Sequence, residues 1–132
     1  MSSVAVDEKG MAVAHAYYCA KCKNEQTDPH AAERLADALG LSLWKPKDEV
    51  TFDFPNGALA CQQAIDEAEV VICQPPVGND CSWELGYAIG TGKRVYALGP
   101  LPGDDWMTKI GVRYVDPVSL QGPDGASDMV QA

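Results

Sequence analysis

Glu84 is the residue best placed for chemistry in the run Gly78-Asn79-Asp80-Cys81-Ser82-Trp83-Glu84-Leu85-Gly86-Tyr87-Ala88-Ile89-Gly90-Thr91-Gly92-Lys93. A carboxylate can attack an acetal-like carbon and form a covalent glycosyl ester, which splits a hard substitution into two easier ones. The plainer alternative is a solvated glutamate near a helix start, stabilised by the helix dipole. Asn79 and Asp80 carry groups that can hold sugar hydroxyls, and Trp83 offers a face on which a base can stack. A tyrosine hydroxyl, from Tyr17 or Tyr18, could orient the carboxylate. Adjacent strand residues point to opposite faces, so only one of the two can do so.

Cys19-Ala20-Lys21-Cys22 is a second motif, which reads either as a redox pair or as half of a zinc site completed by Cys73, Cys81 or His30. A zinc site of that kind calls for a second close pair, and the chain has none. The cysteine count is five, an odd number. Reduced thiols and no metal are therefore expected, and no organic cofactor is required. His15 alternates within an apolar strand and reads as a packed residue.

These groups need a scaffold. Val70-Val71-Ile72-Cys73 reads as a buried parallel strand ended by Pro75 and Pro76. Asp80 or Ser82 is expected to cap a helix that runs to Thr91 and stops at Gly92, with Glu84 in its first turn, where the dipole favours the ionised carboxylate. Gly86 and Gly90 would leave one side of that helix bare, so its backbone could lie close to the sheet. Arg94 to Leu98 is the next strand. Before these, Val13 to Cys19 is a strand candidate. Asp28 and Pro29 mark a helix start, with Gly40 as its stop. Leu41 to Trp44 is a short strand. Lys47 to Pro55 reads as a loop whose Phe52 and Phe54 could cover a pocket. Asn56 is expected to cap a helix with Leu59, Gln62, Ile65 and Ala68 on one face. A turn at 99–103, a short helix around Trp106 and a strand from Val112 to Val115 complete the pattern.

Strands alternating with helices imply an α/β fold: a doubly wound parallel five-stranded sheet, flavodoxin-like or Rossmann-like, in the order 2-1-3-4-5. That order brings the loop after Cys19 and the loop before Glu84 to one crevice, making Tyr17, Tyr18, Asp80, Ser82 and Glu84 neighbours. A length of 132 residues is most simply a single domain, with residues 1–11 as a loose arm and 117–132 as a polar tail.

Composition narrows the partners. Net charge is −9, from 19 acidic and 10 basic residues, which opposes a phosphate backbone and argues against nucleic acid. The longest apolar run falls far short of the roughly 18 residues of a membrane span. The first ten residues lack the basic start and apolar core of a signal peptide, so no membrane association and a cytoplasmic location are expected.

Three stretches resemble the nucleoside 2-deoxyribosyltransferase family and its relatives that hydrolyse nucleotide N-glycosidic bonds. They are Ala68-Glu69-Val70-Val71-Ile72, Ser82-Trp83-Glu84-Leu85-Gly86-Tyr87-Ala88 and Gly92-Lys93-Arg94-Val95-Tyr96-Ala97-Leu98. The resemblance covers the first four strands in order and is sharp from Ala68 to Leu98. It implies a glutamate nucleophile at Glu84, a nucleoside or nucleotide substrate held around Gly78, Asn79, Asp80, Ser82 and Trp83, and a homodimer or higher homo-oligomer. The chain also departs from the family. Where the family usually has Asp or Ser, six residues before the nucleophile, stands Gly78. The first loop reads Cys19-Ala20-Lys21-Cys22-Lys23-Asn24 and lacks a glycine-rich phosphate cradle. Asp128-Met129 only faintly echoes the Asn-containing segment near the end of transferase members. The expected activity is cleavage or transfer at an N-glycosidic bond. The alternatives are a non-catalytic nucleotide- or ligand-binding domain of the same fold, and an NAD-cleaving glycohydrolase.

Overall fold

A computed structural model describes residues 14–21, 28–99 and 111–120. The expectations for residues 1–13, Cys22, Lys23, Asn24, the turn beyond Gly99, the helix around Trp106 and the chain beyond Leu120 lie outside the described residues. Among the described residues, five strands form one sheet: β1 (His15–Ala20), β2 (Ser42–Trp44), β3 (Val70–Gln74), β4 (Arg94–Ala97) and β5 (Val112–Tyr114). Their order is β2-β1-β3-β4-β5, and every neighbouring pair is parallel. This is the doubly wound arrangement expected from the alternating pattern. In register, Tyr17 lies beside Trp44 on one side and Val71 on the other, and Cys19 lies beside Cys73.

The central strands form because their side chains are apolar on both faces, as a sheet covered on both sides demands. One layer packs Tyr17, Cys19, Val71, Cys73, Val95 and Ala97 under helices α3 (Asn56–Glu67) and α4 (Asn79–Gly90). The other packs Ala16, Tyr18, Val70, Ile72 and Tyr96 against Ala32, Leu35 and Ala36 of α1 (His30–Ala38). Full burial of each Val or Ile contributes about 1.5–3 kcal/mol. The pleat therefore sends Tyr17 and Tyr18 to opposite layers.

Helix ends differ in detail from the sequence reading. Asp28 holds the start of α1, where the His30 N–H donates to its Oδ1 at 3.0 Å, and Pro29 lies just outside the helix rather than in its first position. Gly40 stops it with φ +74°. A short helix, α2 (Pro46–Glu49), occupies the beginning of the expected loop. Pro46 has no N–H to leave unpaired and has the right φ for a first turn, and the Val50 N–H closes on its carbonyl at 3.0 Å. Asn56 does not cap α3. Asp53 does, accepting the Gly57 N–H at 3.0 Å. The buried face of that helix carries Gly57, Ala64 and Ile65, whereas Leu59 is exposed.

The largest corrections concern α4. It begins at Asn79 behind Gly78, so neither Asp80 nor Ser82 is its N-cap, and Ser82 Oγ donates to the Gly78 carbonyl at 2.9 Å instead. Glu84 consequently sits in the second turn. The face against the sheet is Cys81, Leu85 and Ala88. Gly86 and Gly90 point away from the sheet, and a Cβ on either would meet nothing within 4 Å. At the far end Gly92 takes φ +84°, as expected of a stop residue. Beyond β5, Pro117–Leu120 forms one 3-10 turn, begun by Val118 N–H donating to Asp116 Oδ1 at 3.0 Å. Among the described residues no helix is long and apolar enough to cross a membrane.

Candidate active site

The chain leaves β1 toward β2 on one side, while β3 continues toward β4 on the other. Such a reversal opens a crevice beyond the carboxyl ends of the two central strands. Here it is a cavity of about 730 Å³. Tyr17, Ala20 and Lys21 at the end of β1, and Gly78, Asn79, Asp80, Cys81, Trp83 and Glu84 at the start of α4, form one side of it. Phe52, Asp53, Phe54, Ala58, Leu59 and Gln62 form the other. The loop with two phenylalanines thus does line a pocket.

Tyr17 donates its hydroxyl hydrogen to Glu84 Oε2 at 2.5 Å. The ring of Tyr17 is fixed by stacking on Trp44, with centroids 5.4 Å apart and planes 20° from parallel. The other carboxylate oxygen, Oε1, faces Cys19, whose Sγ lies 3.5 Å away and also 3.5 Å from the Cys81 carbonyl oxygen. One oxygen of Glu84 is therefore held by a rigid aromatic and the other by a soft thiol.

Burial raises the pKa of Glu84 above the ordinary carboxylate range, the hydrogen bonds from Tyr17 and Cys19 oppose that rise, and the charge of Asp80 adds to it. This departs from the expectation of a carboxylate whose charge is favoured by the helix dipole. The second turn is too far along α4 for the unpaired N–H groups to dominate, and desolvation wins. Tyr17 is pushed far up by burial and by the neighbouring Glu84, so its hydroxyl stays a donor. Cys19 is also raised, first by the neighbouring thiols of Cys73 and Cys81, then by burial. Cys81 is lowered, first by the Cys19 hydrogen bond and, against burial, by the Gly78 backbone.

The residues singled out in the sequence separate clearly. Glu84, Tyr17, Gly78, Asn79, Asp80 and Trp83 all line the cavity. Tyr18 is buried in the opposite layer with Ala32 and Leu35, so it is withdrawn as a partner of Glu84. Ser82 is not a lining residue; it is exposed and turned back to Gly78. Trp83 is 58% exposed at the rim and stacks on Tyr87 at 5.1 Å, which in turn donates to Asp66 at 2.5 Å and accepts from Gln62 at 3.3 Å. His15 is packed as expected, donating from Nε2 to the Ala64 carbonyl at 2.9 Å.

Asp53, Gln62 and the contact of Cys19 with Glu84 were not foreseen. Alternation along β1 was the available signal for Cys19, because it must share a face with Tyr17. Asp53 and Gln62 come from distant segments and had no such signal. Among the described lining residues Lys21 is the one basic side chain, against the carboxylates of Asp53, Asp80 and Glu84.

The architecture is similar to that of the 2-deoxyribosyltransferase of the psychrotolerant bacterium Bacillus psychrosaccharolyticus, with a TM-score of 0.56 and 21% identity, over 78% of this chain and 86% of that one. It is also similar to a conserved protein from Enterococcus faecalis V583, with a TM-score of 0.50 and 18% identity, over 65% of this chain and 63% of that one. No family model and no curated protein matches the sequence. At such identities the shared property is the fold.

Proposed function

We propose that the protein cleaves or transfers the N-glycosidic bond of a nucleoside or nucleotide, with Glu84 as the nucleophile. The observation that carries this reading is the Tyr17–Glu84 pair at 2.5 Å in the crevice. A carboxylate at the cavity wall whose two oxygens are held by Tyr17 and Cys19 is positioned for attack on an anomeric carbon. In the first step a Glu84 oxygen bonds to the anomeric carbon, while the carbon–nitrogen bond breaks and the base leaves with its electron pair. Water or a second base then displaces the glutamate and regenerates it, and the proton this second nucleophile loses balances the one the departing base takes up from solvent. The likeness of fold to a 2-deoxyribosyltransferase and the motif around Glu84 support the same assignment.

Gly78 favours a second reading. It puts a hydrogen where relatives have a side chain for the sugar, as a binding domain without turnover would tolerate. Incubation with mixed nucleosides, nucleotides and NAD, followed by chromatography for free base, separates the two. Released base that disappears in Glu84→Gln supports the enzyme. Saturable binding with no release in any mixture supports the binding domain.

A further inference from the structure

Cys19, Cys81 and Glu84 each offer one metal-ligating atom, and all three atoms lie within 4.8 Å of one another. Zinc bonds sulfur at about 2.3 Å and carboxylate oxygen at about 2.0 Å, so at a tetrahedral angle sulfur and oxygen stand roughly 3.5 Å apart. Cys19 Sγ and Glu84 Oε1 are 3.5 Å apart. The carboxylate is already oriented for single-oxygen ligation, because Tyr17 holds Oε2. Such an outer hydrogen bond is the usual support of a ligating carboxylate.

We propose that Cys19, Cys81 and Glu84 form a site for one thiophilic divalent cation, Zn²⁺ or Cd²⁺. The ligand set is two thiolates and one carboxylate, three negative charges against two positive, and thiolates select soft metals over Mg²⁺ or Ca²⁺. Each thiol gives its proton to solvent as the metal binds, so two protons are released per ion. Cys81 and Glu84 line the cavity, so an ion can reach them from it. The pair is not the sequence motif Cys19-x-x-Cys22. It joins the end of β1 to the first turn of α4 and arises only through the β1–β3 crevice. A metal there occupies Glu84 Oε1. Resting on the nucleophile assignment of the preceding subsection, its effect is to block attack, making the ion an inhibitor rather than a cofactor.

The test uses the full chain, reduced and freed of metal, titrated with Cd²⁺ and with Zn²⁺ in competition with a chromophoric chelator. One equivalent should bind, with the ultraviolet charge-transfer band of a cadmium thiolate, release of two protons and a raised Tm. Glu84→Gln should weaken binding roughly tenfold or more while keeping the band. Cys19→Ala with Cys81→Ala should abolish the band, with the fold checked by circular dichroism before metal is added. Should the double variant not fold, the Glu84→Gln affinity and the proton count decide alone. A full band in the double variant, unchanged affinity in Glu84→Gln, or no stoichiometric binding overturns the site. Binding is read without substrate, so failure of this site and failure of the nucleoside reading are seen separately. Where base release is found, Zn²⁺ should stop it and a chelator should restore it.

Discussion

The Tyr17 hydroxyl reaches Glu84 Oε2 at 2.5 Å across the gap between β1 and α4, 67 residues apart in sequence. The bond anchors one oxygen of a half-buried carboxylate and keeps its pKa from rising further. Two elements from different parts of the chain thereby meet at a single carboxylate.

Removing the carboxylate tests that group directly. Glu84→Gln is nearly isosteric, and its amide oxygen can still accept from Tyr17. The amide cannot form the glycosyl ester, so base release should fall by several orders of magnitude, toward the 10³–10⁴ over water that typically survives loss of a nucleophile, roughly. Glu69, exposed just before β3, is the control, and Glu69→Gln should act at the parent rate. A Glu84→Gln protein that releases base at the parent rate removes the assignment.

The same substitution has an opposite effect on stability. The folded pKa of Glu84 is raised by burial, so the native state binds its proton more tightly than the unfolded chain. Stability is then lost as pH rises from the unfolded carboxylate value through the folded one. Gln carries no such penalty. With a chelator present, Glu84→Gln should melt at or above the parent temperature at pH 7, and the two should converge below about pH 4, where both side chains are neutral. A lower melting temperature at pH 7 would mean that the charge stabilises the fold.

Tyr17→Phe keeps the ring stacked on Trp44 and deletes only the hydroxyl. A hydrogen bond to a charged group contributes about 1.5–3 kcal/mol, so kcat should fall roughly 10- to 100-fold with KM little changed. Without its donor the carboxylate should be harder to ionise, and the acid limb of the rate profile should move to higher pH. An unmoved limb would assign Tyr17 to packing alone.

Much of this site is legible in the amino-acid order because its elements are local. Val70 to Cys73 are apolar throughout and Val95 to Ala97 carry no charge, and that pattern dictates parallel strands covered on both faces. The choice between Tyr17 and Tyr18 is also bounded by the pleat. The facing of α4 was less accessible. Cys81, Leu85 and Ala88 share one helical stripe and Ser82, Gly86 and Gly90 another, and the small residues read as the close-packed side. The sheet took the larger apolar stripe, since it buries more surface. The α4 start was displaced because Gly78 enters it with an extended backbone and no capping side chain. Cys19 meeting Glu84 depends on which side chains of β1 and α4 face each other across the crevice, which the strand order alone does not fix.

Gly57 marks the place where the second wall of the cavity is tightest. A Cβ there would lie 2.0 Å from the Thr51 carbonyl oxygen and 2.9 Å from Asp53 Oδ1. Gly57→Ala must displace the 51–53 backbone or break the Asp53 cap, at a cost of about 1–3 kcal/mol. Chemical denaturation should show the loss, and binding of any pocket ligand should weaken with it, because Phe52 and Asp53 line the cavity. Parent-like stability would mean that this loop yields freely.

Gly78 invites the converse change. Its backbone is extended, with φ −101° and ψ −165°, so no glycine is needed for conformation. A Cβ would meet nothing nearer than the Lys21 side chain at 3.8 Å, an ordinary contact. It is the N-cap of α4, where Ser or Asp can accept an unpaired N–H of the first turn, a gain over Gly of a few tenths of a kcal/mol, roughly. Gly78→Ser should therefore fold and melt slightly higher than the parent. It also returns a hydroxyl to the rim beside Asn79 and Asp80. If the cavity holds a sugar there, KM for the preferred nucleoside should drop while kcat stays within a few-fold, since the new group touches the ground state and the transition state alike. A rise in KM with the stability gain intact would mean that the substrate needs the bare backbone at Gly78.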